Sequence, residues 1–200
     1  MRLRIPAAFI LAAVSLPAAN PTTLGLVIRR GAAVPSAVRQ HFELETASGV
    51  DFSLKAGRLA LAWRDEASFS SSESFDRLIV VAFQGDCSTV MPKSLSGGGP
   101  LGWTSTSDGR VLPFIWIDCD RVKTVLMAPE AWPHSVIPAG LLGRALSHVA
   151  LHEIYHVLSG RKHHDAEGLF KAEYSPADLL APVTLRLTAA AEIAGLPHQP

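Results

Sequence analysis

The stretch LLGRALSHVALHEIYHVLSG, residues 141–160, decides how the rest of the chain is read. Leu141, Leu142, Ala145, Leu146, Val149, Ala150, Leu151, Ile154, Val157 and Leu158 leave it almost no polar face. A helix that is apolar nearly all round is a buried one, and Gly160 suits its C-terminal cap. Yet the same stretch holds His148, His152, Glu153 and His156, and an imidazole buried without a partner is costly. Residues 152–156 answer that conflict, because His-Glu-Ile-Tyr-His is an H-E-x-x-H run. The i, i+4 spacing puts both rings on one helix face, one turn apart, where they can chelate a single ion. Glu153 lies beside them, within reach of a water on that ion, where a general base is needed.

A catalytic zinc takes three protein ligands and keeps one position open. The third ligand is expected in Arg161-Lys162-His163-His164-Asp165, because Gly160 lets the chain reverse toward the helix. His163 and His164 both qualify, and Glu173 is the more distant carboxylate alternative. His148, four residues before His152, drifts too far along the axis for the same ion and reads as a core or supporting residue. Five of the eight histidines lie between positions 148 and 164; His41, His134 and His198 carry no partner pattern.

The remainder of the chain supplies a frame for this helix. Residues 20–34 read as an extended lead-in, and Pro35 opens a short helix over 36–46 that ends before Gly49. Leu59, Leu61 and Trp63 alternate with Ala60, Ala62 and Arg64 as in a half-buried strand. Leu78–Phe83 is a continuous apolar run and reads as a central strand. Asp108-Gly109 supplies the positive φ angles of a tight hairpin between Gly102–Thr106 and Val111–Asp118. Pro113 cannot donate to a ladder, so the second arm is predicted to be an edge strand. Ser175-Pro176-Ala177-Asp178 caps another helix, expected to run to about Ala194. Trp63, Trp103, Trp116 and Trp132 are read as packing residues, as are Tyr155 and Tyr174, and Arg29-Arg30 as a solvated pair.

Composition narrows the partners. The 18 Lys+Arg balance 18 Asp+Glu, so no electrostatic reason exists to expect nucleic acid or an acidic membrane. Charged residues make up 18%, below the usual figure of about 25%, which excludes a disordered chain. Arg2 and Arg4, an apolar run from Ile5 to Pro17, and then Ala18-Ala19 read as a secretory signal peptide over residues 1–19. That run is shorter than the ~20 residues of a membrane span, so stable insertion is not expected after cleavage. An exported chain, periplasmic or secreted, makes Cys87 and Cys119 a disulfide pair rather than free thiols.

With these residues in view, the chain resembles the zincin metalloproteases, more narrowly their metzincin-like branch, which carry H-E-x-x-H-x-x-G-x-x-H before a methionine-bearing turn. His152, Glu153 and His156 match, whereas Gly160 and the third histidine are displaced, and Phe170 stands where the methionine would be. The stretch from Ala150 to Leu179 is also similar to a group of short exported bacterial HExxH proteins. Aligned on their pattern, the third ligand falls on His164. The resemblance covers about residues 77–180. It implies an α+β fold: a small mixed or antiparallel sheet packed on the HExxH helix, with a C-terminal helical lobe from about residue 161. A cleft would lie between the lobes, lined by an edge strand that binds extended peptide, with the Val111–Asp118 arm expected in that role.

The activity so implied is a zinc metalloendopeptidase acting on a peptide or protein. One zinc sits on His152, His156 and His164, and Glu153 takes a proton from zinc-activated water and passes it to the leaving amine. The competing class is an exported zinc-binding protein whose metal is structural, closed by a fourth ligand such as His163 or Asp165.

Overall fold

The computed structural model describes residues 22–29, 31–53, 59–91, 98–127, 135–164, 166 and 168–182. The expected signal peptide, Arg30, Trp132, His134, Asp165 and His198 lie outside these residues.

Five strands form one mixed sheet: β1 (Thr22–Ile28), β2 (Leu59–Asp65), β3 (Arg77–Gln84), β4 (Gly102–Ser107) and β5 (Arg110–Asp118). Their order is β2-β1-β3-β5-β4; β4 alone runs antiparallel, paired to β5. Among the described residues four α-helices accompany them: α1 (Ser36–Ser53), α2 (Cys119–Leu126), α3 (Ala139–Ser159) and α4 (Pro176–Leu180). The fold is therefore α+β with a small mixed sheet on the HExxH helix. Among the described residues no helix is long and apolar enough to cross a membrane.

Period-two alternation builds the core. Leu24, Leu26 and Ile28, Ile79, Val81 and Phe83, and Ile115 and Ile117 present one buried face to the helices. Phe42 of α1 meets Trp63 and Phe83 edge-on, with ring centroids 5.4 and 5.2 Å apart. α3 packs beside α1 with Leu142, Ala145, Leu146, Val149 and Ile154 in the same core. The two helices approach closely at Gly143, where a Cβ would meet the Val38 carbonyl oxygen and the Phe42 nitrogen at 2.8 Å. Arg144 and Glu45 pair across the same crossing, at 2.8 Å.

Four expectations are corrected here. β5 is not an edge: it lies between β3 and β4, and among the described residues the edge on that side of the sheet is the other hairpin arm, β4. Pro113 is tolerated because pairing to β3 begins only at Phe114, and the β4 register shifts between Thr104 and Thr106, opposite the proline. Residues 22–28 form a strand paired on both sides, and α1 continues through Gly49, whose penalty is offset by burying Val50. The last helix ends at Leu180 and not near Ala194. Ala181 precedes Pro182 and is extended (φ −61°, ψ 150°), since a proline drives its predecessor out of the helical region.

Other local readings hold. Asp108 and Gly109 take φ of 48° and 77° in the hairpin turn, and Gly160 closes α3 at φ 66°. Ser175 and Asp178 form a reciprocal capping box on α4. Cys87 and Cys119 are bridged, with Cα atoms 5.0 Å apart, tying the end of β5 to the segment after β3. Beside the bridge, fully buried Lys123 is held by Asp86 at 3.0 Å, Asp120 at 3.5 Å and the Val90 carbonyl at 3.1 Å. Replacing both cysteines by serine should lower unfolding free energy by roughly 3–4 kcal/mol, the chain entropy of a loop of this length. Guanidinium unfolding of the two proteins measures the difference.

Candidate metal centre

Three imidazoles converge at the C-terminal half of α3. His152 and His156 are buried one turn apart, and His164 reaches them from the segment after Gly160. One ring nitrogen from each lies within 4.8 Å of the other two. The His164 ring centroid is 5.0 Å from both of the others. Among the described residues neither His163 nor Glu173 joins this group, and His148 does not either. His148 is buried with its Nε2 lacking a hydrogen-bond partner, and burial pushes its pKa down.

The hydrogen bonds fix what the rings can do. His152 Nδ1 lies 3.0 Å from the Leu169 carbonyl and 2.9 Å from the Tyr174 hydroxyl oxygen. The Leu169 carbonyl can only accept, so Nδ1 carries the ring proton and donates it there, while the Tyr174 hydroxyl donates to the same carbonyl. His156 Nδ1 faces the Arg161 carbonyl at 2.7 Å and donates to it for the same reason. Burial lowers both imidazole pKa values, that of His152 to about 4, so at neutral pH each ring is uncharged. A neutral ring that donates through Nδ1 presents a bare lone pair at Nε2. The two Nε2 atoms stand 2.9 Å apart. Two lone pairs at that distance repel unless a cation lies between them.

Zinc fits the donor set. Tetrahedral Zn–N bonds of about 2.0–2.1 Å place ligand nitrogens about 3.3 Å apart, inside the range found here. Carbonyl oxygens behind the ligating rings are the usual outer partners of metal-bound histidine.

Glu153 lies on the same helix and is 6% exposed. Burial pushes its carboxyl up to about 7, against the opposing effect of a 2.6 Å hydrogen bond from the Thr104 hydroxyl of β4. The group opens on a cavity of about 600 Å³. Leu101, Val111, Val125 and Val149 supply apolar lining, and Arg161, Lys162 and Glu173 join Glu153 as charged members. Tyr155 is core, as expected, but Tyr174 has a role its sequence context did not reveal, fixing the orientation of His152. Thr104 was also missed: it sits 49 residues before Glu153, and no local pattern couples a strand threonine to a helix carboxylate.

No family model matches the chain, and no curated protein matches it. Among solved structures it is similar to archaemetzincin from Methanopyrus kandleri, at 12% identity and a TM-score of 0.48. That match covers 86% of this chain and 93% of that one.

Proposed function

We propose that the chain is a zinc-dependent peptidase in which His152, His156 and His164 hold the metal and Glu153 is the general base. The observation that carries this reading is the pair of Nε2 lone pairs facing each other at 2.9 Å, with His164 completing the triangle. A metal that only stapled the fold would want a fourth protein ligand, and none joins the three histidines among the described residues. A catalytic zinc on these three histidines would keep its fourth position for water or substrate. Glu153 supports catalysis over a structural role, since a buried carboxylate outside the ligand set has no structural task at such a site.

Bound zinc supplies Lewis acidity, which polarises a carbonyl and makes water more acidic at neutral pH. The protein's own groups do the rest. The Nδ1 donors of His152 and His156, anchored on the Leu169 and Arg161 carbonyls, hold both rings with lone pairs inward. Glu153 accepts the proton of the attacking water and returns it to the departing amine. The apolar cavity wall excludes water around a substrate side chain. β4 ends the sheet order among the described residues, and its outer side is where an extended peptide would pair. The Cys87–Cys119 bridge supports export to an oxidising compartment.

The full chain, purified with its disulfide intact, should contain about one zinc by elemental analysis and hydrolyse an unfolded protein such as reduced casein. Removing the metal with phenanthroline should abolish hydrolysis, and stoichiometric zinc should restore it. Folded, oxidised protein that takes up no zinc would overturn the reading.

A further inference from the structure

We propose that Thr104 is the positioning residue for Glu153, its hydroxyl aiming the carboxylate from the edge strand. This rests on the reading of Glu153 as the base. Among the described residues, the Thr104 hydroxyl makes the one hydrogen bond to that carboxylate, Oγ1 to Oε2 at 2.6 Å. The same hydroxyl is 3.4 Å from the Glu153 main-chain oxygen. A hydroxyl has one proton, and the shorter, charge-assisted contact takes it. Oε2 is thus held while Oε1 accepts no hydrogen bond from a described residue. A base that must take a proton from a water in the cavity needs that division between its two oxygens.

The backbone explains how a strand residue reaches the helix. Gly102 and Thr104 are two apart on β4 and share the face toward α3. At Gly102 a Cβ would meet Val149 Cγ1 at 2.5 Å, the Trp116 carbonyl oxygen at 2.8 Å and Glu153 Cγ at 3.3 Å. The glycine therefore lets β4 settle directly onto the helix, and this brings Thr104 within bonding distance of the carboxylate. Trp103 points to the other face and stacks on Trp116, with centroids 5.9 Å apart. That pair and the ladder to β5 hold the strand in register. Threonine is stiff at χ1, so a strand fixed in this way fixes the hydroxyl as well. Glutamate, with three rotatable bonds, has no comparable restraint of its own.

The test compares the zinc-loaded full chain with Thr104→Val, which keeps the shape and removes the donor, and Thr104→Ser, which restores it. Crystal structures should show the Thr104–Glu153 bond in the wild type and a rotated carboxylate in the valine variant. In peptide hydrolysis the valine variant should lose kcat by about 10–100-fold, the scale of a misplacement near 1 Å, with KM and zinc content unchanged. Serine should recover most of that loss. If valine folds poorly, Thr104→Ala replaces it in both measurements. An unmoved carboxylate, an undiminished kcat, or a loss that serine does not rescue would overturn the proposal. A wild type that binds zinc but cleaves no peptide would instead overturn the peptidase reading, and the crystal structures would still decide whether Thr104 sets Glu153.

Discussion

Glu153→Gln is expected to keep its zinc and lose peptide hydrolysis by about 10²–10⁴-fold, the usual contribution of a positioned general base. The amide has the shape of the carboxylate, and its oxygen can still accept the 2.6 Å bond from Thr104, so the site should remain assembled. What it cannot do is take a proton. Burial holds the Glu153 carboxyl up at about 7, which makes it a base matched to neutral water. A cation close by can only lower that value. The acid limb of the wild-type profile of kcat/KM should therefore lie at or below about pH 7 and be missing from the residual activity of the glutamine variant.

The same residue carries an opposite prediction for stability. A carboxyl whose pKa is raised by folding stabilises the native state below its unfolded value, and that contribution is lost as pH rises toward 7. At pH 7.5 the wild type holds a carboxylate where burial disfavours one, so the zinc-free glutamine variant should melt higher than zinc-free wild type. A variant that is less active and more stable would mark Glu153 as a residue kept for chemistry. A glutamine variant with full activity would remove Glu153 from the mechanism.

How much of this was legible in the sequence depends on the range of the interactions involved. The HExxH helix, its glycine stop, the Asp108-Gly109 turn and the Ser175–Asp178 capping box are each decided within a few residues. Each appears where local chemistry placed it. The strand order was not legible, because pairing is settled between segments far apart. Pro113 argued correctly that part of β5 cannot donate to a ladder, but a bulge serves that need as well as an edge does. The arm that lacks the proline, β4, turned out to be the edge. α1 outran its predicted end because burying Val50 outweighs the preference of Gly49. At the site, the i, i+4 pair was visible in the sequence. Thr104 and the Leu169 and Arg161 carbonyls were not, since backbone oxygens are no more distinctive at one position than at another.

The second large effect concerns the three histidines, and their unequal burial separates binding from folding. His164 is exposed, so His164→Ala should leave the zinc-free protein as stable as wild type, within the ±0.5 kcal/mol or so usual for surface changes. Zinc affinity should fall by more than about 100-fold, because outer-sphere partners alone are worth about 10–100-fold and the proposal makes His164 a direct ligand. Zinc at 1,000 times its dissociation constant stabilises a protein by about 4 kcal/mol, so added zinc should raise the wild-type melting temperature markedly and that of His164→Ala hardly at all. His163→Ala is the control, one residue away and outside the trio, and should behave as wild type. Acid should act on the buried pair in the same direction. Burial keeps the His152 and His156 rings uncharged, that of His152 down to about 4, while the unfolded chain takes up protons from about pH 6.5. Native stability should therefore fall as pH drops from about 6.5 toward 4, and more steeply with zinc present, since protons displace the metal from its lone pairs. Melting curves with and without zinc across that range measure both effects. If His163→Ala lost its zinc while His164→Ala kept it, the ligand assignment would pass to the neighbouring histidine, and the triangle drawn around His152 and His156 would need another corner.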